Sequence, residues 1–201
     1  MKKIELRERK SRILSVARRV FAESGYKGAV MEEVARRSGL GKGTVYRTFR
    51  SKERLFFTVF GDALSALERT MFSELMKEKT AIGKLKKATK LYLQFFEKNE
   101  DLFRILVYNA YTFEKDLEQK VRERYLPYIQ YITEIIEEGI KNGELKEIKD
   151  VEGSAFALMG VCNGLIYRWM IARSRMDREE KSLMDDFSLI EDIYFNGIEK
   201  K

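Results

Sequence analysis

A single proline in 201 residues, Pro127, sets the strongest limit on what this chain can become. Proline lacks a backbone donor and clashes with the preceding helical turn, so its near absence leaves long helices unbroken. Apolar residues recur at three- and four-residue spacings. Strand-like alternation bounded by turn dipeptides is not found. The expected class is all-α, with about nine helices. Hydrophobic residues make up 44% of the chain, enough to pack a core despite 35% charged residues.

The residue inventory excludes several chemistries. Histidine is absent, which removes the commonest general base and transition-metal ligand. One cysteine, Cys162, allows no intrachain disulfide and reads as a small buried residue. No metal site, cofactor or catalytic set is expected. The longest uncharged stretch, 153–167, has 15 residues, short of the roughly 20 that span a bilayer. No secretory leader is seen, and a cytoplasmic protein without a membrane partner is expected.

Charge is unevenly placed. Residues 1–54 hold 16 Lys/Arg and 6 Glu, a net of +10, and the rest of the chain carries the balance of the overall +7, a net of −3. A basic first quarter is the footprint of a nucleic-acid-binding module joined to something else. A solvated basic surface or a membrane-surface helix has the same charge, so charge alone leaves these open.

The motif in that quarter narrows the choice. A first helix runs roughly from Glu8 to Glu23, with Ile13, Val16, Ala17, Val20 and Phe21 on one stripe. Gly25 ends it. Residues 31–50 then read as a helix (31–38), a tight turn (39–41) and a second helix (42–49). Ala35 is small where two helices cross, Gly39 supplies the left-handed turn, and Val45 faces back onto the first helix. Val34, Leu40 and Phe49 complete a small core. Lys42, Gly43, Thr44, Tyr46 and Arg47 are left for the outer side, the arrangement that groove insertion requires.

Residues 9–60 resemble the DNA-binding domain of the TetR family of bacterial regulators. The matching residues are Ile13, Ala17, Phe21, Gly25-Tyr26, Val34-Ala35, Ser38-Gly39-Leu40, Lys42-Gly43-Thr44-Val45-Tyr46, Phe49 and Ser51-Lys52-Glu53 with Leu55. Two positions depart from the family pattern. Val30 and Gly41 stand where it often has hydroxyl-bearing N-caps, and the loss at Val30 costs ~1 kcal/mol of local stability. The resemblance implies a helix-turn-helix domain at 1–54 and a helical effector-binding and dimerisation domain at 55–201, with 55–78 as connector helix.

The second module reads as helices near 81–98, 100–112, 114–142, 150–174 and 182–199. Ser51, Asn99 and Asp150 are expected N-caps, and Gly143 a helix end. Helix 150–174 carries Gly153, Ala157, Gly160 and Gly164 as a small-residue stripe and is apolar nearly all round. Such a helix is buried on two sides, as the centre of a monomeric bundle or against a partner. The resemblance implies the partner is a second copy, met through Phe156, Gly160, Gly164, Trp169, Phe187, Ile190, Ile193 and Tyr194.

Aromatic residues with a few polar groups among them suit a small-molecule pocket, although most such rings are ordinary core. The pocket candidates are Phe60, Leu64, Tyr92, Phe96, Phe103, Asn109, Tyr111, Tyr128, Met159, Asn163 and Tyr167. The function expected is a dimeric repressor on a near-palindromic operator, released by a small, largely apolar effector. Arg47 is assigned a base contact and Thr44 a thymine methyl or phosphate. Lys42, Tyr46 and Lys52 are assigned phosphates. The alternatives are a regulator without a small-molecule effector, or a helical enzyme or carrier with a basic head.

Overall fold

The computed structural model describes residues 2–109, 115–174 and 182–198. Among the described residues there are eight helices and a terminal helical run, and no strand, in agreement with the all-α expectation. The helices are α1 (Lys2–Gly28), α2 (Met31–Arg37), α3 (Lys42–Phe49), α4 (Lys52–Leu75), α5 (Ala81–Lys98), α6 (Glu100–Asn109), α7 (Lys115–Lys141) and α8 (Val151–Ser174). The terminal run, 183–198, changes pitch along its length: a 3-10 turn Leu183–Asp186, an α turn Phe187–Ile190, a π stretch Glu191–Phe195 and a last turn Asn196–Ile198. A uniform α-helix was expected over 182–199.

The chain forms two compact units. One comprises Met1–Ala66 with Glu100–Lys120, the other Leu67–Asn99 with Val121–Lys201. The boundary expected at 54/55 falls in the first turn of α4. Packing divides the chain elsewhere, inside α4 and α7, and gives α6 to the first unit. The reason is physical: α6 lies against α1, where Arg18 and Asp101 form an ion pair.

In the first unit, α1 begins at Lys2 rather than Glu8, and its helical course breaks at Gly25 (φ 66°, ψ 177°), a backbone state that disfavours side chains with a Cβ. α2 ends in a Schellman turn. Leu40 N–H donates to the Ala35 carbonyl at 3.0 Å and Gly39 N–H to Arg36 at 3.1 Å, with Gly39 at φ 64°. The glycine identified from sequence is therefore the one the turn requires. Ile13, Ala17, Val20, Phe21, Val34, Ala35, Val45, Phe49 and Leu55 are all buried. Phe56 joins them, edge-on to Phe21 with ring centroids 5.2 Å apart. Leu40, expected in this core, is half-buried. Ser51 caps α4 as expected, its Oγ accepting from Arg54 N–H at 3.0 Å.

In the second unit, α5 buries Leu85, Ala88, Tyr92, Leu93 and Phe96, and α8 buries Ala155, Leu158, Met159, Cys162, Ile166 and Trp169. Thr80 caps α5 through Gly83 N–H (3.0 Å), and Glu144 accepts the Ala81 N–H at 2.6 Å. Gly139 lies in this joint. A Cβ there would come within 2.6 Å of Ala81 Cβ and 2.7 Å of Leu145 Cδ1. Its glycine identity is steric, and nothing in the sequence pattern marked it. Glu97 holds the start of the terminal run by accepting from Ser182 Oγ (2.8 Å) and Leu183 N–H (2.7 Å).

Asp150 caps α8, accepting from Gly153 N–H at 2.8 Å. That carboxylate also occupies the space a Cβ on Gly153 would need. Gly153 thus serves the cap rather than a helix contact. Asn99, the residue before α6, also donates its side-chain amide to the Phe95 carbonyl at 2.7 Å, at the C-terminal end of α5. Val151–Arg173 is long and apolar enough, by length and composition, to cross a bilayer, more than the uncharged stretch alone suggested. Much of that apolar surface lies in the unit's own core.

Candidate nucleic-acid interface

The amphipathic geometry of α3 decides what it can present. Val45 and Phe49 are buried, so the opposite side faces solvent and carries Lys42, Gly43, Tyr46 and Arg47. Thr44 is half-buried at its edge and accepts from the Arg47 guanidinium at 3.3 Å. This contact spans one turn (i, i+3) and lays Arg47 along the helix surface. Nothing lies within 4 Å of a Cβ built on Gly43, so the free protein has open space there.

The cations on this surface differ in how far they are committed. Lys42 pairs with Glu32 of α2 and sits 5.7 Å from the centre of the Tyr46 ring. Its hydrogen bond to Glu32 raises the ammonium pKa and lowers that of the carboxylate. Lys52 donates to the Lys27 carbonyl at 3.1 Å and lies 4.7 Å from the Tyr26 ring centre, where burial lowers its pKa. Lys52 therefore ties the start of α4 to the last turn of α1. Arg47 has the lighter commitment.

Between α3 and α4 stands a feature absent from the sequence reading. Arg50 has φ 62°, ψ −39°, and Ser51 N–H donates to the Phe49 carbonyl at 2.7 Å across it. This is a γ-turn of the strained kind, centred on a residue with a Cβ. Arg50 and Arg54 are exposed beside it. Neither position carries a periodic or turn-dipeptide signal, so pattern reading passes over them.

Both weak caps are as the sequence implied. Val30 and Gly41 flank α2 and α3 in extended conformation and supply no side-chain cap bond. Val30 is also 52% exposed. α2 has compensation in charge, with Glu32 and Glu33 in its first turn and Arg36 and Arg37 in its last. Glu33 takes both arginines at 2.6–2.8 Å, which brings its carboxyl down to about 2.

The pocket candidates distribute over both units. Phe60, Leu64 and Phe103 belong to the first, and so does Asn109 at the end of α6, although the described side chains do not include it. Tyr111 lies outside the described residues. Tyr92, Phe96, Tyr128, Met159, Asn163 and Tyr167 belong to the second. Four of these form one cluster. Tyr92 stacks on Tyr128 at 5.6 Å, meets Phe96 edge-on at 4.8 Å, and donates its hydroxyl to Asn163 Oδ1 at 2.8 Å. Met159 is buried, whereas Tyr167 faces outward, 52% exposed.

The dimer candidates separate in the same way. Trp169, Phe187, Ile190 and Tyr194 are buried within the single chain, and Tyr194 is held by Ser154 at 2.8 Å. Phe156, Gly160, Gly164 and Ile193 are exposed, and Tyr167 and Ile171 continue the α8 stripe on the same face. No atom comes within 4 Å of where a Cβ on Gly160 or Gly164 would stand.

Comparison with known proteins supplies the family. Residues 13–59 match the model described as bacterial regulatory proteins, tetR family, and residues 78–182 match that of a tetracyclin repressor-like C-terminal domain. The HTH-type transcriptional regulator YhgD of Bacillus subtilis is 28% identical over 172 residues, 86% of this chain and 90% of that protein. The fold is also that of the Bacillus subtilis transcriptional regulator FadR in complex with stearoyl-CoA. That likeness has a TM-score of 0.82 at 22% identity, over 93% of this chain and 98% of that one. AibR in complex with isovaleryl coenzyme A and operator DNA gives 0.76 at 18% identity, over 92% and 98%. A surface helix seated on a small core, a glycine-closed turn before it and family matches along both halves have one reading: the chain belongs to the TetR family of DNA-binding transcriptional regulators.

Proposed function

We propose that the protein is a cytoplasmic, dimeric repressor that binds a near-palindromic operator and leaves it when an acyl-chain effector binds. The observation that carries the DNA reading is the free outer face of α3, seated on buried Val45 and Phe49 with Arg47 exposed. Arg47 pairs with a base edge, bidentate to guanine in the favourable case. Thr44 and Tyr46 contact a thymine methyl or phosphates. Lys42 reaches a phosphate by exchanging its Glu32 partner, and open space at Gly43 lets the backbone approach the duplex. Lys52 contributes by holding the α4 start in place and by adding positive potential.

A dimer is supported by the open apolar stripe of α8 with Ile193. Two heads then meet successive major grooves ~34–36 Å apart. The effector class follows the structural relatives, which hold stearoyl-CoA and isovaleryl coenzyme A. Effector binding lowers operator affinity only to the extent that it prefers the state whose heads mismatch the grooves. The protein's role is regulatory rather than catalytic.

The test is binding to a duplex from the promoter of its own gene, followed by fluorescence anisotropy. Wild type should prefer that duplex over a scrambled one. Arg47→Ala should lose ~1–3 kcal/mol of discrimination. A series of acyl-CoAs should then release the wild-type complex with a chain-length optimum. Equal affinity for both duplexes overturns the DNA reading. Release by none of the series overturns the effector reading alone.

A further inference from the structure

The start of α1 carries cations that the fold does not use. Arg7, Arg9, Lys10 and Arg12 stand there against Glu5 and Glu8. Elsewhere in the first unit several basic side chains are engaged: Arg18 with Asp101, Arg37 with Glu23 and Glu33, Arg36 with Glu33, and Lys42 with Glu32. Among the described residues, Arg7, Arg9, Lys10 and Arg12 have no ion-pair partner.

The same segment also lies outside the core. Leu6 precedes Ile13 and Val20 by successive heptads and falls on their stripe, yet it is 56% exposed while Ile13 is fully buried. Ile4 is exposed as well. Residues 2–12 also precede the family-matched stretch, which begins at 13. At 1.5 Å per residue, α1 extends about 16 Å past Ile13. A helix with no buried face has little tertiary support of its own. That length exceeds the ~12 Å width of a major groove, so it can span from a groove-bound core to the bordering backbone.

We propose that the first roughly three turns of α1 form a second DNA-contact element. In it Arg7, Arg9, Lys10 and Arg12 grip phosphates flanking the sequence read by α3. The proposal rests on the DNA-binding assignment and extends its footprint. Unpaired cations on several sides of a projecting helix match the backbone of a duplex, whose charge is dense and independent of sequence. They add affinity and salt dependence, and they do not choose bases.

The experiment compares wild type with the variant Arg7→Ala, Arg9→Ala, Lys10→Ala, Arg12→Ala on the promoter duplex and a scrambled duplex, from ~50 to ~200 mM salt. The slope of log affinity against log salt should fall by about 2–4 for each bound protomer, since each phosphate contact contributes ~0.9. Both duplexes should weaken alike, leaving their ratio unchanged. The set Arg7→Lys, Arg9→Lys, Arg12→Lys should keep the wild-type slope. Arg47→Ala reports separately on base reading, by changing the ratio. A wild-type slope in the alanine variant overturns the proposal. So does binding to phosphatidylglycerol vesicles that depends on these residues while the DNA slope stays unchanged. If wild type binds no duplex at all, the DNA assignment fails and this element with it.

Discussion

Arg18 on α1 and Asp101 on α6 form a two-pronged ion pair, Nε on one carboxylate oxygen and a terminal guanidinium nitrogen on the other. The two residues are 83 positions apart, and each side chain is about 30% exposed. Bidentate geometry fixes the relative orientation of the two helices as well as attracting them. The contact makes α6 part of the unit that contains the recognition helix.

Removing one partner takes the opposite charge away from a half-buried side chain. Arg18→Ala and Asp101→Ala should each lower stability by about 1–2 kcal/mol in denaturant unfolding. The double variant should cost less than the sum of the singles, by about 1 kcal/mol. Additive losses would show that the pair is merely adjacent.

Glu33 predicts an acid response. Its folded pKa lies at about 2 through hydrogen bonds to Arg36 and Arg37, against an ordinary value of 4.5. A depressed carboxyl stabilises the folded state fully above its unfolded pKa, and loses that contribution as pH falls through the folded one. The window is therefore pH 4.5 down to about 2. Glu33→Gln should melt below wild type at neutral pH, and the difference should shrink across that window. A difference that does not change with pH would locate the effect in packing.

The bare N-cap of α2 invites repair. Val30 is extended, exposed and without a cap bond. Val30→Ser or Val30→Thr supplies a side-chain oxygen to the N–H groups of the first turn and should add ~1 kcal/mol. Hydrogen exchange of α2 amides should slow accordingly. Unchanged exchange would mean that the exposed end is already satisfied by water.

The glycines of the second unit make opposite predictions. Gly139→Ala places a methyl 2.6 Å from Ala81 Cβ and should destabilise by ~1–3 kcal/mol. Gly160→Leu and Gly164→Leu enter open space and should leave the single chain folded. They should nevertheless shift sedimentation from dimer to monomer, because a bulky side chain blocks close helix approach. A Gly160→Leu protein that sediments as a dimer would move the interface away from this face.

Helix existence and much of the head could be read in the sequence, because they depend on local terms. The stripe Ile13–Phe21, the turn glycine Gly39 and the buried Val45 obey helical period and backbone sterics within a few residues. The exposed outer side of α3 follows from the same period. Packing between distant segments left no such trace. Nothing in the local spacing around Arg18 points to Asp101, which α6 brings to it. Gly153 and Gly160 looked alike in one stripe until Asp150 was seen to fill the space at the first and nothing the space at the second. Tyr167 and Tyr92 were both pocket candidates by composition, yet one faces outward and the other donates to Asn163 inside. Sequence alone determined most of the helices and the exposed outer face of α3, whose causes are periodic and local. The tertiary structure alone decided which charges are neutralised, which glycines are crowded and where the first unit ends, since each depends on a neighbour dozens of residues away or on the room left by folding.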